Sequence, residues 1–498
     1  MTGDATPDGG CMNIKELLAT RRARHAGTSF SFLALVIAFF YLLNLILLGF
    51  ADKFGWYFYT KPQYDLTVSD AAAPLFAEID TSAGGVEIVF CDVEDNIRTH
   101  KQLDYVYETA VNLRDRYPEL ITLTFVNLWL NPDRLSAYRT AKDGTENTLT
   151  TSTVIVDYRG EYICNSAAAF YTLDDNNSVT AYNGEEVFVA NILWVSAKNH
   201  PVAYFTANHG EEVPAALRRQ LIYAGYTVAR LDLATVSAVP EDAGVVVIAS
   251  PIYDFQKSAE GASYVSELDK LRTYLDGGGR MLVTLHPNRL TKEEGVTHTG
   301  LSRLCEFLSS YGIDAAGGVL TDRENALPGS GGYSLITLPG TGACSDRLQS
   351  AQGGRRSVLS YATPLTVSGE AEVLLTSAGS ARLLSAAGEE IGHGSYPVLA
   401  LRRTAKGGML FVAGSAYLAD DRMVNAEGYG NRELIYGLLA EMGATRSPAG
   451  IRSVVVDRSA LENLTLQEAD IYAVISIAVI PAALLLSGLI VIRRRKNH

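Results

Sequence analysis

The sequence predicts an α/β protein whose largest part is a doubly wound domain, a parallel sheet with helices on both faces. Within residues 202–287, short apolar runs such as Val245–Ala249 alternate with segments of helix length, as in buried parallel strands that are covered by helices. Glycines follow the two helical segments at Gly225 and at Gly277–Gly279, where glycine would supply the left-handed cap. We therefore place this domain at residues 200–445.

Beyond residue 287 the pattern becomes less regular. A helix is predicted at Thr299–Tyr311, and residues 313–350, rich in Gly, Ser, Pro and Thr, are predicted to be irregular. The remaining predicted elements are the strands Ser357–Ser360, Ala371–Thr376, Tyr396–Arg402, Gly408–Ala413 and Ser453–Val456 and the helix Asn431–Met442.

A smaller α/β unit is predicted at residues 60–199. It has a strand at Val86–Phe90, a helix at Lys101–Tyr117 and a closing helix at Gly184–Lys198. The order strand, helix, strand, helix, strand, strand, helix resembles that of a thioredoxin-like fold. The redox dithiol of that fold is replaced here by Cys91-Asp92-Val93-Glu94, which holds one cysteine, and disulfide exchange requires two. We expect no redox activity from this unit.

Two apolar segments without charges flank these units. Phe30–Phe50 has 21 residues and Ile471–Ile492 has 22, and either can cross a hydrocarbon core about 30 Å thick. A cleaved signal peptide is the alternative for the first segment, but no small-residue cleavage site follows it. A buried core helix is the alternative for the second segment. The cations Arg493–Lys496 directly follow that segment, which is typical of the cytoplasmic end of a transmembrane helix. We predict two transmembrane helices.

The distribution of charge orients these helices. The formal net charge is −13; residues 1–29 carry +1 and the tail 493–498 carries +4, so the residues between them carry −18. Cations at the outer ends of both spans predict cytoplasmic termini and an external body, joined to the second span by a juxtamembrane segment at 446–470. An acidic body argues against nucleic acid as a partner, because phosphate neutralisation requires clustered Lys and Arg.

The cysteines do not form a disulfide framework. Cys91, Cys164, Cys305 and Cys344 are scattered through the predicted external part without C-x-x-C spacing. We expect all four to be buried free thiols.

Polar residues follow several strands of the predicted parallel sheet, where ligands bind in folds of this kind. The candidates are Asn208, His209, Glu211, Ser250 and His286. Two histidines and a glutamate could hold a metal or act as acid and base, but their spacing matches no ligand signature. The alternatives are a structural role for both histidines, bonded to loop backbone, and binding of a polar ligand. We expect neither metal nor cofactor.

Signatures of catalysis are missing from the sequence. The G-x-S-x-G elbow of hydrolases does not occur, and Ser250 is followed by proline. The phosphate-cradling motif G-x-x-x-x-G-K-[ST] does not occur either. No cysteine follows a central strand, so an amidotransferase-type nucleophile is also missing. We therefore predict a protein that is not an enzyme and assign no catalytic residue.

Taken together, these residues resemble the gliding-motility-type (GldG-like) auxiliary components of ABC transporters. The resemblance extends over most of residues 30–498. It is carried by the strand with His209-Gly210-Glu211, Pro251, the glycine-rich turn before Met281–Leu285, Ala371–Ser377 and Ile480–Lys496. It implies a membrane-anchored, extracytoplasmic α/β domain that accompanies a permease and a separate ATPase. The family's loop usually begins with Gly where this chain has Asn208, and Asn tolerates the left-handed conformation.

The resemblance implies a non-catalytic subunit of an export or surface-assembly ABC complex in the cell membrane. Asn44 is costly within a span unless it faces protein, and we expect Asn44 and a kink at Pro481 to contact the permease. The alternative is a stand-alone membrane-anchored ectodomain that binds or hydrolyses cell-envelope sugar or peptidoglycan. Neighbouring genes for an ATPase and a multi-span permease would favour the first function.

Overall fold

The computed structural model describes residues 66–455, except for residues 83, 141–145, 174–178, 257–264, 291–299, 316, 427, 445 and 452. The described residues belong to one compact unit, Leu66–His498. Both predicted spans, with Asn44 and Pro481, lie outside the described residues. Within residues 66–455, less these gaps, no helix is both long enough and apolar enough to cross a bilayer.

The amino-terminal part is built around a four-stranded mixed sheet. Its elements are α1 (Ala72–Phe76), β1 (Val86–Phe90), α2 (Glu94–Thr99), α3 (Asp104–Arg116), β2 (Ile121–Phe125), a 3-10 helix (Pro132–Tyr138), β3 (Val154–Tyr158), β4 (Glu161–Asn165), a second 3-10 helix (Ala167–Phe170), β5 (Tyr171–Leu173), β6 (Val179–Tyr182) and α4 (Gly184–Val195). The strand order is β2–β1–β3–β4, with β1 parallel to β2 and β3 antiparallel to both of its neighbours.

Apolar periodicity explains how the helices of this part pack. On α3, Val106, Ala110 and Leu113 are buried at spacings of three and four residues, as expected of a helix that covers a sheet with one face. By contrast, α4 is buried on almost every side, which is typical of a helix inside a core. Its side chains belong to one hydrophobic cluster that contains residues of the four-stranded sheet and of the larger sheet that follows.

The larger part follows α4. Its elements are β7 (Val202–Thr206), α5 (Ala215–Tyr223), β8 (Thr227–Leu231), β9 (Ala243–Ala249), α6 (Glu267–Asp276), β10 (Arg280–Thr284), α7 (Pro287–Leu290), α8 (Ser302–Ser309), β11 (Ile313–Ala315), β12 (Val319–Thr321), β13 (Ser334–Ile336), β14 (Leu338–Pro339), α9 (Ala343–Ala351), β15 (Val358–Ser360), β16 (Leu365–Val367), β17 (Glu372–Thr376), β18 (Arg382–Leu384), β19 (Glu390–His393), β20 (Pro397–Arg403), β21 (Met409–Ala413), α10 (Asp421–Asn425), α11 (Asn431–Glu441) and β22 (Val454–Val455).

An eight-stranded sheet runs through this part in the order β14–β17–β20–β21–β10–β9–β7–β8. The five strands from β21 to β8 are parallel to one another. The pairs β21/β20, β20/β17 and β17/β14 are antiparallel. The predicted α/β class and the large sheet with parallel strands are therefore confirmed. The sheet is mixed because β20, β17 and β14 add antiparallel pairs at the β21 side of the parallel core.

Helices cover both faces of this sheet. Val246 and Ile248 of β9 pack in a cluster with residues of α6 and α8, while Val245 and Val247 pack in the cluster that contains residues of α5 and α11. Because successive side chains of a strand point to opposite faces, a strand buried on both faces reads as a continuous apolar run. This explains the uninterrupted run in the sequence of β9.

The segment predicted to be irregular, residues 313–350, instead contains β11 to β14 and α9. These strands pair with later ones: β11 with β16, β12 with β18, β13 with β15 and β14 with β17. Each strand is two or three residues long, too short to show a periodic pattern in sequence.

The two ends of the described chain lie side by side. Gly450 packs so close to Ala71 that an added Cβ would lie 3.5 Å from the Ala71 Cβ, and Arg446 forms an ion pair of 3.2 Å with Glu78. The last strand, β22, pairs antiparallel with β6 of the amino-terminal part. The last described residues therefore lie against the part of the body that contains the first described residues.

Candidate site at the carboxyl edge of the large sheet

The strand order brings the five candidate residues to one edge of the sheet. Asn208, His209 and Glu211 follow β7, Ser250 follows the adjacent β9, and His286 follows β10. The chain passes from β7 outward to β8 and then back to β9 on the other side of β7, so the direction of winding reverses between β7 and β9. Ligands of open α/β sheets bind at such switch points.

The loops at this switch point adopt unusual backbone conformations. The φ angles of Asn208, Gly210 and Ser250 are 76°, 72° and 46°, a region that few residues other than Gly and Asn adopt without strain. A Cβ at Gly210 would also lie 3.0 Å from the Cβ of Ile252. The carbonyl of His209 accepts hydrogen bonds of 2.8 Å from the N–H groups of Ile252 and Tyr253. These bonds join the loop that follows β7 to the loop that follows β9.

His209 lies between two glutamates inside the protein. Its Nδ1 is 3.0 Å from Oε1 of Glu211, and its Nε2 is 3.1 Å from Oε2 of Glu267. Its ring also stacks on that of Phe255, with a centroid distance of 4.1 Å. The side chains of the ion triad, which we define as Glu211, His209 and Glu267, are at most 6% exposed.

The three groups of the triad stabilise one another's charged forms. Burial acts to lower the pKa of His209, but hydrogen bonds and charges from Glu211 and Glu267 outweigh it and raise that pKa to about 9. Burial likewise acts to raise the pKa of each glutamate, yet the hydrogen bonds from His209 and from backbone N–H groups lower both. In the protonated imidazole both ring nitrogens are donors, and each faces a carboxylate oxygen of a different glutamate. The geometry favours a structural role for this histidine.

Sequence reasoning missed Glu267, which lies 58 residues beyond His209 in the chain. Ser266 caps α6 by accepting a hydrogen bond of 3.2 Å from the N–H of Asp269, so that the helix begins at Glu267. A carboxylate in the first turn is favoured by the helix dipole. This capping pattern predicts where the helix begins, but nothing in the sequence indicates that Glu267 meets His209.

Ser250 and His286 contact residues outside the ion triad. Arg289 donates from Nη1 to the Ser250 hydroxyl at 3.0 Å and to the Ser250 carbonyl, and it forms an ion pair of 2.8 Å with Glu212. Burial and the charge of Arg289 lower the pKa of His286. The His286 ring makes an edge-to-face contact with Tyr417 at 6.1 Å. Among the described residues, no hydrogen bond, ion pair or ring contact joins His286 to the ion triad.

The remaining candidates for chemistry are the thiols. Cys91, Cys164, Cys305 and Cys344 are free; Cys91 and Cys344 are buried, and the other two are partly buried. Burial is the main cause that raises the pKa of Cys91 and Cys344 to about 12, and that of Cys164 and Cys305 to about 11. Such thiols are protonated at neutral pH, and the thiolate is the reactive form. In the part of the chain that the structure describes, no group of three or more His, Cys, Asp or Glu side chains is arranged to hold a metal.

Comparisons with known proteins place the chain in no family. No family model and no curated protein matches it. Solved structures with partial similarity include the mmIFT52 N-terminal domain, at 17% identity and a TM-score of 0.37 over 48% of this chain and 96% of that one. Two cytoplasmic proteins of Salmonella typhimurium, STM3548 and STM1381, each share 11% identity, with TM-scores of 0.30 and 0.28. They cover 48% and 43% of this chain, and 98% and 87% of their own. Scores below 0.5 carry no conclusion about this protein.

Proposed function

We propose that this chain is a non-catalytic, membrane-anchored auxiliary subunit of an ABC-type transport complex, with its body on the extracytoplasmic side. The observation that carries the proposal is the side-by-side placement of the two ends of the described chain, at Ala71 and Gly450. This placement is compatible with predicted spans at 30–50 and 471–492 that enter one membrane beside a common permease.

The ion triad is the buried charged group at the switch point. Both imidazole nitrogens of His209 and three of the four carboxylate oxygens are hydrogen-bonded within the protein. A subunit without a nucleotide site of its own affects transport only through contacts that differ between states of its partners. The partners in this proposal are a multi-span permease and a separate ATPase.

We further propose that the two parts of the body are a thioredoxin-like domain and a doubly wound domain. The order β2–β1–β3–β4, with one antiparallel strand between parallel ones, supports the first assignment. The parallel core with helices on both faces supports the second. The missing dithiol at Cys91–Glu94 makes the first domain a structural or binding module.

A buried polar network connects the two parts of the body. The Tyr436 hydroxyl of α11 donates to Glu186 of α4 at 2.8 Å, and Arg432 lies 3.6 Å from the same carboxylate. Arg432 also donates to the carbonyl of Ile451, just before β22, at 2.9 Å. One buried guanidinium thus joins both parts of the body to the segment that leads toward the second predicted span.

Purification of the full chain from its native membranes in mild detergent tests the proposal. We expect a permease and an ATPase to accompany it. Replacing residues 30–50 and 471–492 with unrelated apolar helices of equal length should abolish this association while the body stays folded. A matched variant keeps Asn44 and Pro481 within the unrelated helices, and we expect it to recover part of the association.

The stand-alone ectodomain is the competing outcome. It would be favoured if the chain were purified without partners, or if residues 60–460 on a foreign anchor restored full activity in cells. Binding of the protein, purified without partners, to cell-envelope glycan would then identify its role.

A further inference from the structure

A cleft of about 640 Å³ opens beside the loop that follows β7. It is bounded by the carboxyl end of β7, by the edge strand β8 and by the amino end of α5. A volume of this size lies within the range of small-molecule sites. Asn208 and Glu211 contribute to its lining, whereas His209, Ser250 and His286 do not. The cleft therefore shares only Glu211 with the ion triad.

Two arginines give this cleft a positive charge. Arg218 of α5 and Arg230 of β8 both line it and are exposed. Arg218 makes no ion pair or side-chain hydrogen bond with any residue that the structure describes, and Arg230 contacts the side-chain oxygen of Asn208. Most guanidinium donors at the cleft are thus uncommitted. The planar fork of arginine suits the oxygens of phosphate and carboxylate groups.

The amino end of α5 adds further donors at the same place. The helix has nine residues, its N-cap is Pro214, and no side chain caps it. No acidic residue occupies its first turn, and Ala215, the first helical residue, lines the cleft. Uncapped N–H groups and the positive end of the helix dipole both favour an anion at this position.

One carboxylate also lines the cleft. Glu211 accepts hydrogen bonds from the His209 ring at 3.0 Å and from the His209 N–H at 2.9 Å, one on each oxygen. Because Glu211 shares the His209 cation with Glu267, the ion triad keeps one net negative charge, against the two positive charges of Arg218 and Arg230. Val213 and Ala229 add an apolar portion to the lining.

We propose that this cleft binds a small molecule carrying a phosphate monoester. Arg218, Arg230 and the uncapped amino end of α5 hold the phosphate, and Val213 and Ala229 contact its organic part. A phosphate monoester has two negative charges near neutral pH and three strong acceptor oxygens, which match two guanidinium groups and a helix end better than a single carboxylate does. The site goes beyond the transport role and does not depend on it.

Titration calorimetry on the full chain in detergent tests the site with three probes: inorganic phosphate, glycerol 3-phosphate and short-chain dihexanoyl phosphatidic acid. We expect saturable binding of at least one phosphate monoester. Arg218→Gln and Arg230→Gln should each weaken binding about tenfold, the effect of losing a charge-assisted hydrogen bond. Preference for the lipid probe would identify a lipid headgroup as the source of the phosphate, and preference for glycerol 3-phosphate a soluble ligand.

Ala215→Asp separates loss of binding from loss of folding. An acidic residue in the first turn stabilises a helix, so this variant should keep its melting temperature while the new charge abolishes phosphate binding. Arg382→Gln, on an exposed strand away from the cleft, is the matched control and should bind as the parent does. Dissociation constants weaker than about 1 mM for all three probes, or binding unchanged in Arg218→Gln and Ala215→Asp, would overturn the proposal. Neither result would alter the association with a permease, which is measured separately.

Discussion

Replacing His209 with glutamine is expected to lower the free energy of unfolding by about 3–5 kcal/mol, because two buried carboxylates lose the cation they share. Glu211 and Glu267 lie 3.0 and 3.1 Å from the two ring nitrogens, with side chains 5% and 6% exposed. Glutamine keeps a donor but carries no charge. Urea unfolding of the full chain in detergent at pH 6, followed by near-ultraviolet circular dichroism, measures the change.

The triple variant His209→Gln, Glu211→Gln, Glu267→Gln is the informative companion. It removes all three charges together, and neutral replacement of a buried ion cluster costs much less than leaving its anions unpaired. We therefore expect the triple variant to be more stable than the single one. His393→Gln, at an exposed position on β19, is the control and should change stability by less than about 0.5 kcal/mol. A single variant as stable as the triple one would count against the ion triad.

The same triad makes the stability of the parent protein depend on pH. The pKa of His209 is about 9 in the folded protein, against an ordinary value of 6.5. Between these values the folded protein keeps a proton that the unfolded chain has released, so stability falls as pH rises. The contribution is complete below pH 6.5 and is lost as pH passes about 9; the difference in pKa corresponds to about 3 kcal/mol. The triple variant should not show this loss, and equal pH slopes for both proteins would contradict the assignment.

Replacing Arg432 with methionine is expected to cost about 3–5 kcal/mol as well, because Glu186 is left buried without its cation. Arg432 is 3% exposed and donates to the carbonyls of Val424 and Ile451 at 3.1 and 2.9 Å. These carbonyls would lose their partner at the same time. Since Ile451 precedes β22, hydrogen exchange should rise in β22 and in its partner β6. Unfolding free energies and exchange rates of the full chain measure the two effects.

Two further variants separate charge from packing at this network. Arg432→Met combined with Glu186→Gln should be more stable than Arg432→Met alone, because the unpaired carboxylate is gone. Arg382→Met is the surface control, since its pair with Glu390 is largely exposed and such pairs contribute little. Unchanged exchange at β22 in Arg432→Met would show that the guanidinium does not tie the carboxyl-terminal segment to the body.

Several features of the fold followed from local patterns. The run Val245–Ala249 predicted the buried strand observed as Ala243–Ala249, because a strand covered on both faces has no polar positions. The helix predicted at Asn431–Met442 is observed as Asn431–Glu441. The candidate residues Asn208 to His286 were placed at one sheet edge from strand direction alone, since the carboxyl ends of parallel strands share an edge.

The sequence by itself determined the α/β class, the buried parallel strands and the edge at which polar residues collect, because these depend on periodicity within short segments. Only the tertiary structure decided which residues meet there. Glu267 comes from a helix 58 residues beyond His209, and its charge turns a candidate ligand histidine into the centre of a buried ion triad. Likewise Arg432 reaches Glu186 from across the predicted domain boundary. Such contacts join charges far apart in the chain, and no local pattern of residues specifies which distant carboxylate a buried cation will face.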